Sequence, residues 1–143
     1  MLTALPDTAR IVVCEDDQPT LELLCEHLTA DCFAVMAAPT AADALRLCTY
    51  DEPDLLLLDL GLPDRDGREF IEEIRSWSQV PLIVLSVRDR EEEKLAALDA
   101  GANDYVTKPF GPGELLARMR AVLRQILPGQ EEPVFRVGAL EVD

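Results

Sequence analysis

The run Leu55-Leu56-Leu57-Leu58-Asp59 is four leucines closed by a carboxylate. Apolar character unbroken over four residues suits a strand buried on both faces, as in a parallel sheet. The aspartate at its end then falls at the rim of the sheet, where open α/β folds hold their ligands. An earlier run, Ile11-Val12-Val13-Cys14, ends in the same way on Glu15-Asp16-Asp17. Two such strand ends side by side crowd several negative charges into one crevice. Crowded carboxylates repel, so the arrangement needs protonation or a cation to be tolerable.

Around these two runs, strand and helix signals alternate five times. Strands are expected at residues 10–14, 33–37, 54–58, 82–85 and 105–106. Between them, Pro19 followed by Leu21, Leu24, Cys25 and Leu28 makes one apolar helical stripe. Thr40 is placed to cap a helix carrying Ala41, Ala44, Leu45 and Cys48. Gly67 precedes a third helix with Phe70, Ile71 and Ile74 inward, and Asp89 is read as the cap of a fourth over residues 90–100, ended by Gly101. A fifth runs over residues 112–127, with Leu115, Met119, Val122 and Ile126 on one face. Regular βαβ alternation predicts an α/β fold, an open parallel sheet covered by helices on both faces through right-handed crossovers.

Composition narrows the function. The chain has 143 residues, one domain's worth, and its 48% apolar content is that of a soluble globular protein. No apolar stretch approaches the ~20 residues that span a bilayer, and the start lacks the basic flank of a signal peptide, so a cytoplasmic protein with no membrane partner is expected. A net charge of −15 argues against a direct grip on nucleic acid. Cys14, Cys25, Cys32 and Cys48 have no CxxC spacing and are expected to be buried reduced thiols. His27 is alone, cannot build a zinc site and is expected on a helix surface.

Five features converge if the strands lie parallel: the acidic triplet after the first strand, Asp59 after the third, the turn-rich loop Gly61-Leu62-Pro63-Asp64-Arg65-Asp66-Gly67, Ser86 after the fourth, and Lys108-Pro109 after the fifth. An aspartate can act as nucleophile and form an acyl phosphate. A divalent cation on oxygen ligands would cancel the repulsion, and Mg²⁺ suits a site with few protein ligands. The lysine supplies a mobile positive charge, and the serine hydroxyl can donate to a phosphoryl oxygen. Residue types alone leave open which acids of the triplet face the site, and whether Asp17 is among them.

With these residues in hand, the chain over about 9–125 resembles the receiver domain of bacterial two-component response regulators. The segments Asp59-Leu60-Gly61-Leu62-Pro63-Asp64 and Leu98-Asp99-Ala100-Gly101-Ala102-Asn103-Asp104-Tyr105, leading into Lys108-Pro109-Phe110, are similar to the OmpR/PhoB subfamily and, within it, to regulators of potassium-transport genes. The resemblance implies a flavodoxin-like (CheY-like) sheet of strand order 2-1-3-4-5. It implies phosphorylation of Asp59 by a phosphohistidine of a sensor histidine kinase, with Mg²⁺ as cofactor and Mn²⁺ able to substitute. Asp16, Asp59 and the backbone carbonyl of Gly61 would hold the metal directly, and Glu15 through water. Ser86 and Lys108 would bind the phosphoryl group, a cis bond would precede Pro109, and Tyr105 would turn inward as a switch when Ser86 moves. Such a protein is not an enzyme on other substrates. It catalyses only its own phosphorylation and dephosphorylation.

The same resemblance implies a homodimer formed on phosphorylation through the fourth helix, fifth strand and fifth helix. Its pairs would be Lys94–Glu114, Asp99–Arg120 and Asp104–Arg118, around Leu95, Leu98 and Leu116; self-complementary charge is what a two-fold interface demands. A further acid–base pair usual in the subfamily falls here on Asn103 and Gln125, which removes one ion pair. Gly61 offers no side chain to position a hydrolytic water, so a long-lived phosphorylated state is expected, with Arg88 adding shielding. Residues 9–127 are thus read as the receiver and 128–133 as a linker. Residues 134–143 resemble the opening strand of a winged-helix DNA-binding effector domain, so promoter DNA is expected to be contacted only through that further domain.

Three other readings compete. A degenerate receiver would bind partners without phosphorylation, which the set Asp16, Asp59, Ser86 and Lys108 disfavours. An aspartyl-phosphate phosphohydrolase typically carries a second aspartate two residues after the nucleophile, where this chain has Gly61. A flavodoxin-like cofactor protein would need a phosphate-cradling loop after the first strand, where acids stand instead.

Overall fold

Period-2 alternation inside the strands sorts the apolar residues into two layers on opposite faces of one sheet. The computed structural model describes residues 8–126. Its elements are β1 (Arg10–Cys14), α1 (Gln18–Ala30), β2 (Ala34–Ala38), α2 (Ala41–Asp51), β3 (Leu55–Asp59), α3 (Gly67–Arg75), β4 (Leu82–Ser86), α4 (Glu91–Ala100), β5 (Asp104–Thr107) and α5 (Pro112–Ile126). All strand pairs are parallel, in the order β2-β1-β3-β4-β5. This is the fold and strand order expected. Segments 128–133 and 134–143, read as linker and second domain, lie outside the described residues.

One layer joins Ile11, Val13, Leu55, Leu57, Ile83 and Leu85 to Leu21, Leu24 and Leu28 of α1 and to Leu115, Met119 and Val122 of α5. The other joins Val12, Cys14, Leu56, Leu58, Leu82 and Val84 to α2, to Phe70, Ile71 and Ile74 of α3, and to Ala97 of α4. Residues 55–58 are fully buried because both faces of the central strand are covered. The quartet of leucines is the sequence record of that position.

Four expectations need correction. Strand β2 starts at Ala34, one residue late, because Cys32 takes a left-handed φ of 72° and the Phe33 N–H turns back to Leu28 O at 3.1 Å. Asp59 lies inside β3, opposite Leu85. Helix α4 is capped at Arg90 with no side-chain bond, and Asp89 is exposed; Glu91, Glu92 and Glu93 in its first turn meet the helix dipole instead. Cys32 is exposed and Cys25 half-buried, so only Cys14 and Cys48 are buried thiols. Desolvation by burial pushes Cys48 up to about 11, and burial raises Cys14 as well, so both stay protonated.

Other details stand as read. Thr40 caps α2 by accepting from Asp43 N–H at 3.1 Å, His27 is exposed on α1, and Gly101 closes α4 with φ 129°. Among the described residues no helix is long and apolar enough to cross a membrane.

Candidate functional site

Strand ends bring the site together. Glu15, Asp59 and Lys108 each stand two residues beyond an apolar residue of the α1/α5 layer, namely Val13, Leu57 and Val106. Alternation therefore directs all three to the same side of the sheet edge. Oxygen atoms of Glu15, Asp16 and Asp59 lie within 4.8 Å of one another, as the crowded strand ends predict. Glu15 is 2% exposed and Asp59 7%, whereas Asp16 is open to solvent.

Lys108 enters this group from β5. Its Nζ donates to Glu15 Oε1 at 2.9 Å and lies 3.6 Å from Asp59 Oδ1. Glu15 Oε2 accepts from the Asp17 N–H at 3.1 Å, so both oxygens of the buried carboxylate are occupied. Burial raises the Glu15 pKa, opposed by its bonds to Lys108 and Asp17. Burial works against the Lys108 ammonium, but the hydrogen bond to Glu15 and the charge of Asp59 outweigh it and hold Lys108 above the usual lysine range. The peptide bond between Lys108 and Pro109 is cis, as the resemblance implied.

The third acid of the triplet has other work. Asp17 caps α1, accepting from Thr20 N–H at 3.1 Å and from the Thr20 hydroxyl, and these bonds lower its pKa. Gly61 stands two residues after Asp59 on the rim, its N–H donating to Asp59 Oδ1 at 3.2 Å. A side chain added at Gly61 would meet nothing nearer than the Asp59 carboxylate, at 3.8 Å. Ser86 is buried at the end of β4, with its hydroxyl accepting from Arg88 N–H at 3.0 Å. The Tyr105 ring is buried and its hydroxyl donates to Arg88 O at 2.8 Å, tying β5 to the loop after Ser86. The donor set is all oxygen and adjoins a lysine, which suits a hard divalent cation beside an anionic group.

The sequence profile of the response regulator receiver domain matches residues 11–120. The chain belongs to the response regulator receiver family. This receiver is 50% identical over 115 residues to the KDP operon transcriptional regulatory protein KdpE of Escherichia coli K12, covering 80% of this chain and 51% of that protein. It is 43% identical over 135 residues to KdpE of Mycobacterium tuberculosis, covering 93% and 60%. Against the phosphate regulon regulator PhoB of E. coli the identity is 38% over 137 residues, covering 94% and 60%. The receiver thus spans between half and about three-fifths of the length of these relatives. Among solved structures, the BeF3-activated receiver domain of Klebsiella pneumoniae RstA superposes with TM-score 0.77 at 34% identity, covering 81% of this chain and 99% of that one. The Francisella response regulator 1452 receiver domain gives 0.80 at 26%, covering 83% and 99%. A receiver is a signalling switch rather than an enzyme of the ordinary kind, and the comparisons put this one among KdpE- and PhoB-like regulators.

On the α4–β5–α5 face, Leu95 is 51% and Leu98 39% exposed. Asp104 and Arg118 meet within the chain at 3.1 Å, and Arg118 also reaches Glu114 at 3.3 Å. Arg120 pairs instead with Asp31 at the end of α1, on the far side of α5, since two residues turn a helix by about 200°. Leu116 packs against the α1/α5 layer. Asn103 is exposed but tied to the chain, its Oδ1 accepting from Leu82 N–H at 2.8 Å and Arg75 NH2 at 3.1 Å. Sequence reasoning missed Arg75, which also donates to Gly101 O and Ser78 O, because no local signal marks a half-buried arginine at a helix end that bonds a distant loop.

Proposed function

We propose that this receiver takes a phosphoryl group onto Asp59 from the phosphohistidine of a sensor histidine kinase. The observation that carries the reading is the joining of three carboxylates within 4.8 Å to a lysine that contacts two of them. An Asp59 oxygen attacks phosphorus, the bond from phosphorus to the donor imidazole breaks, and the imidazole leaves with the electron pair. Asp16, Asp59 and the Gly61 carbonyl would hold Mg²⁺ (or Mn²⁺) directly, with Glu15 acting through water. When bound, the cation supplies charge to cancel the carboxylate repulsion and to neutralise phosphoryl oxygens. Lys108 then exchanges its bond to Glu15 for one to the phosphoryl group, and the Ser86 hydroxyl donates to another oxygen. Movement of Ser86 is transmitted to Tyr105 through the Arg88 segment that both of them bind.

Output follows from the α4–β5–α5 face, where exposed Leu95 and Leu98 would seat a second copy, with Lys94, Asp99, Asp104, Glu114 and Arg118 around them; Leu116, packed against the α1/α5 layer, and Arg120, paired with Asp31, would join only by leaving those contacts. The Asp104–Arg118 pair closed within the chain would reopen to pair across the two-fold axis. In the whole protein a DNA-binding domain beyond residues 128–133 would then act on promoters. Likeness to KdpE proteins makes potassium-transport genes the expected targets, and a cytoplasmic location goes with that role. The test is intact-protein mass spectrometry after incubation with a small phosphodonor and Mg²⁺. The chain should gain one phosphoryl group and Asp59→Asn none. A wild-type chain unmodified with every donor and metal would leave the degenerate, phosphorylation-independent receiver as the reading.

A further inference from the structure

The loop between β3 and α3 carries Gly61 and is pinned along its length. Leu60 N–H donates to Leu85 O at 3.2 Å, Leu62 is buried in the core, and Asp66 caps α3 by accepting from Glu69 N–H at 3.2 Å. Asp64 does something else: it leaves its own loop and bonds α2. Its Oδ1 accepts from Ala41 N–H at 3.1 Å and its Oδ2 from Ala42 N–H at 3.3 Å. Both donors are among those that a helix start leaves without an intrahelical partner. Thr40 already supplies the local cap of this helix, and Asp64 adds a second, delivered across 23 residues of chain. Among the described residues, these two bonds are the hydrogen bonds that join the loop to α2.

The start of α2 is also tied to β1: Cys14 Sγ donates to the carbonyl of the N-cap Thr40 at 3.5 Å, and just before it Glu15 N–H donates to Ala38 O, at the end of β2, at 3.1 Å. The acids after β1 and the Asp59–Gly61 rim after β3 are therefore braced against each other through one turn of helix. A carboxylate at a helix N-terminus is electrostatically favoured, so the brace is a stable one. Only two residues, Leu62 and Pro63, separate Gly61 from Asp64, and Leu62 is held in the core, which leaves the intervening chain little slack.

We propose that Asp64 is a positioning residue: by clamping the β3–α3 loop onto the first turn of α2, it fixes the Gly61 carbonyl relative to Asp16 and Asp59 and so sets the affinity for the divalent cation. The inference rests on the metal reading given above. Asp64 touches neither metal nor phosphoryl group; it acts through the backbone.

The test is isothermal titration of MgCl₂ into the 143-residue chain, paired with thermal melting of the metal-free protein. Asp64→Ala is expected to weaken Mg²⁺ about fivefold, below the 10- to 100-fold typical of groups that bond a ligand directly. Asp64→Asn keeps one acceptor oxygen and should recover most of the affinity. Thr40→Val removes the other cap of the same helix without touching the loop, so it should lower the melting temperature and leave Mg²⁺ affinity at the wild-type value. Wild-type affinity in Asp64→Ala overturns the proposal, and so does an equal weakening in Thr40→Val, which would reduce Asp64 to a stabiliser of α2. A wild-type chain that neither binds Mg²⁺ nor melts higher in its presence overturns the metal reading itself, and the proposal with it.

Discussion

Replacing Lys108 by methionine removes the ammonium that pairs with Glu15 at 2.9 Å and keeps most of the apolar stem. Glu15 is 2% exposed, so it is left as a buried carboxylate without its cation. Breaking such a pair costs about 3–5 kcal/mol when the survivor stays charged. Glu15 has an escape, however, because it can bind a proton. At pH 7, protonating a carboxylate of ordinary pKa 4.5 costs at most about 3.4 kcal/mol, at ~1.36 kcal/mol per pH unit. Burial already raises Glu15 above that value, so the true ceiling is lower. A loss of about 2–3 kcal/mol is expected at pH 7.

The sign of the pH dependence follows. Without the lysine, the folded pKa of Glu15 moves further above its unfolded value. The stability it contributes is then full below about pH 4.5 and lost as pH rises through the folded value. Urea unfolding of Lys108→Met and wild type, metal-free, should therefore differ by about 2–3 kcal/mol at pH 7 and by under ~1 kcal/mol at pH 5. Saturating Mg²⁺ should narrow the gap at pH 7, since a second cation then faces the same carboxylates. A gap that is the same at both pH values and indifferent to Mg²⁺ would refute the pairing of Lys108 with a buried, charged Glu15.

Three further substitutions probe the surroundings. In Asn103→Ala, the N–H of Leu82 loses its acceptor and Arg75 one of its partners, so a loss of about 1–3 kcal/mol is expected in thermal or urea unfolding. Gly67→Ala would put a methyl 2.3 Å from Leu60 Cδ2 and 3.2 Å from its Cα; a loss of about 1–3 kcal/mol is expected by the same measurement, and unchanged stability would mean that the loop yields easily. Gly61→Asn has room beside Asp59 and should shorten the lifetime of the phosphorylated chain, followed by mass spectrometry, because its amide can orient a hydrolytic water.

The fold was legible in residues because its signals are local. The unbroken apolar run at residues 55–58 suits a strand covered on both faces, and the carboxylates that close two such runs fall at the sheet rim. The turn of α1, the cap at Thr40 and the closing Gly101 are equally short-range. Errors fell where local signals compete: a left-handed Cys32 delayed β2, and Asp89 lost to Arg90 as the start of α4.

Which way a side chain points once a strand has ended is not a local property, and the three acids after β1 show it. Types and spacing brought the acids after β1 near Asp59 and nominated Lys108, and the family resemblance singled out Glu15 and Asp16 among them. Packing against α1, α2 and β5 decided that Glu15 is buried on the lysine, that Asp16 stays open, and that Asp17 turns away to cap a helix. Contacts between elements distant in sequence had no counterpart in the chain's pattern: Asp64 on α2, Arg120 on Asp31, Arg75 beneath Asn103. Each needs two surfaces brought together by the whole sheet, and only the closed fold supplies the second.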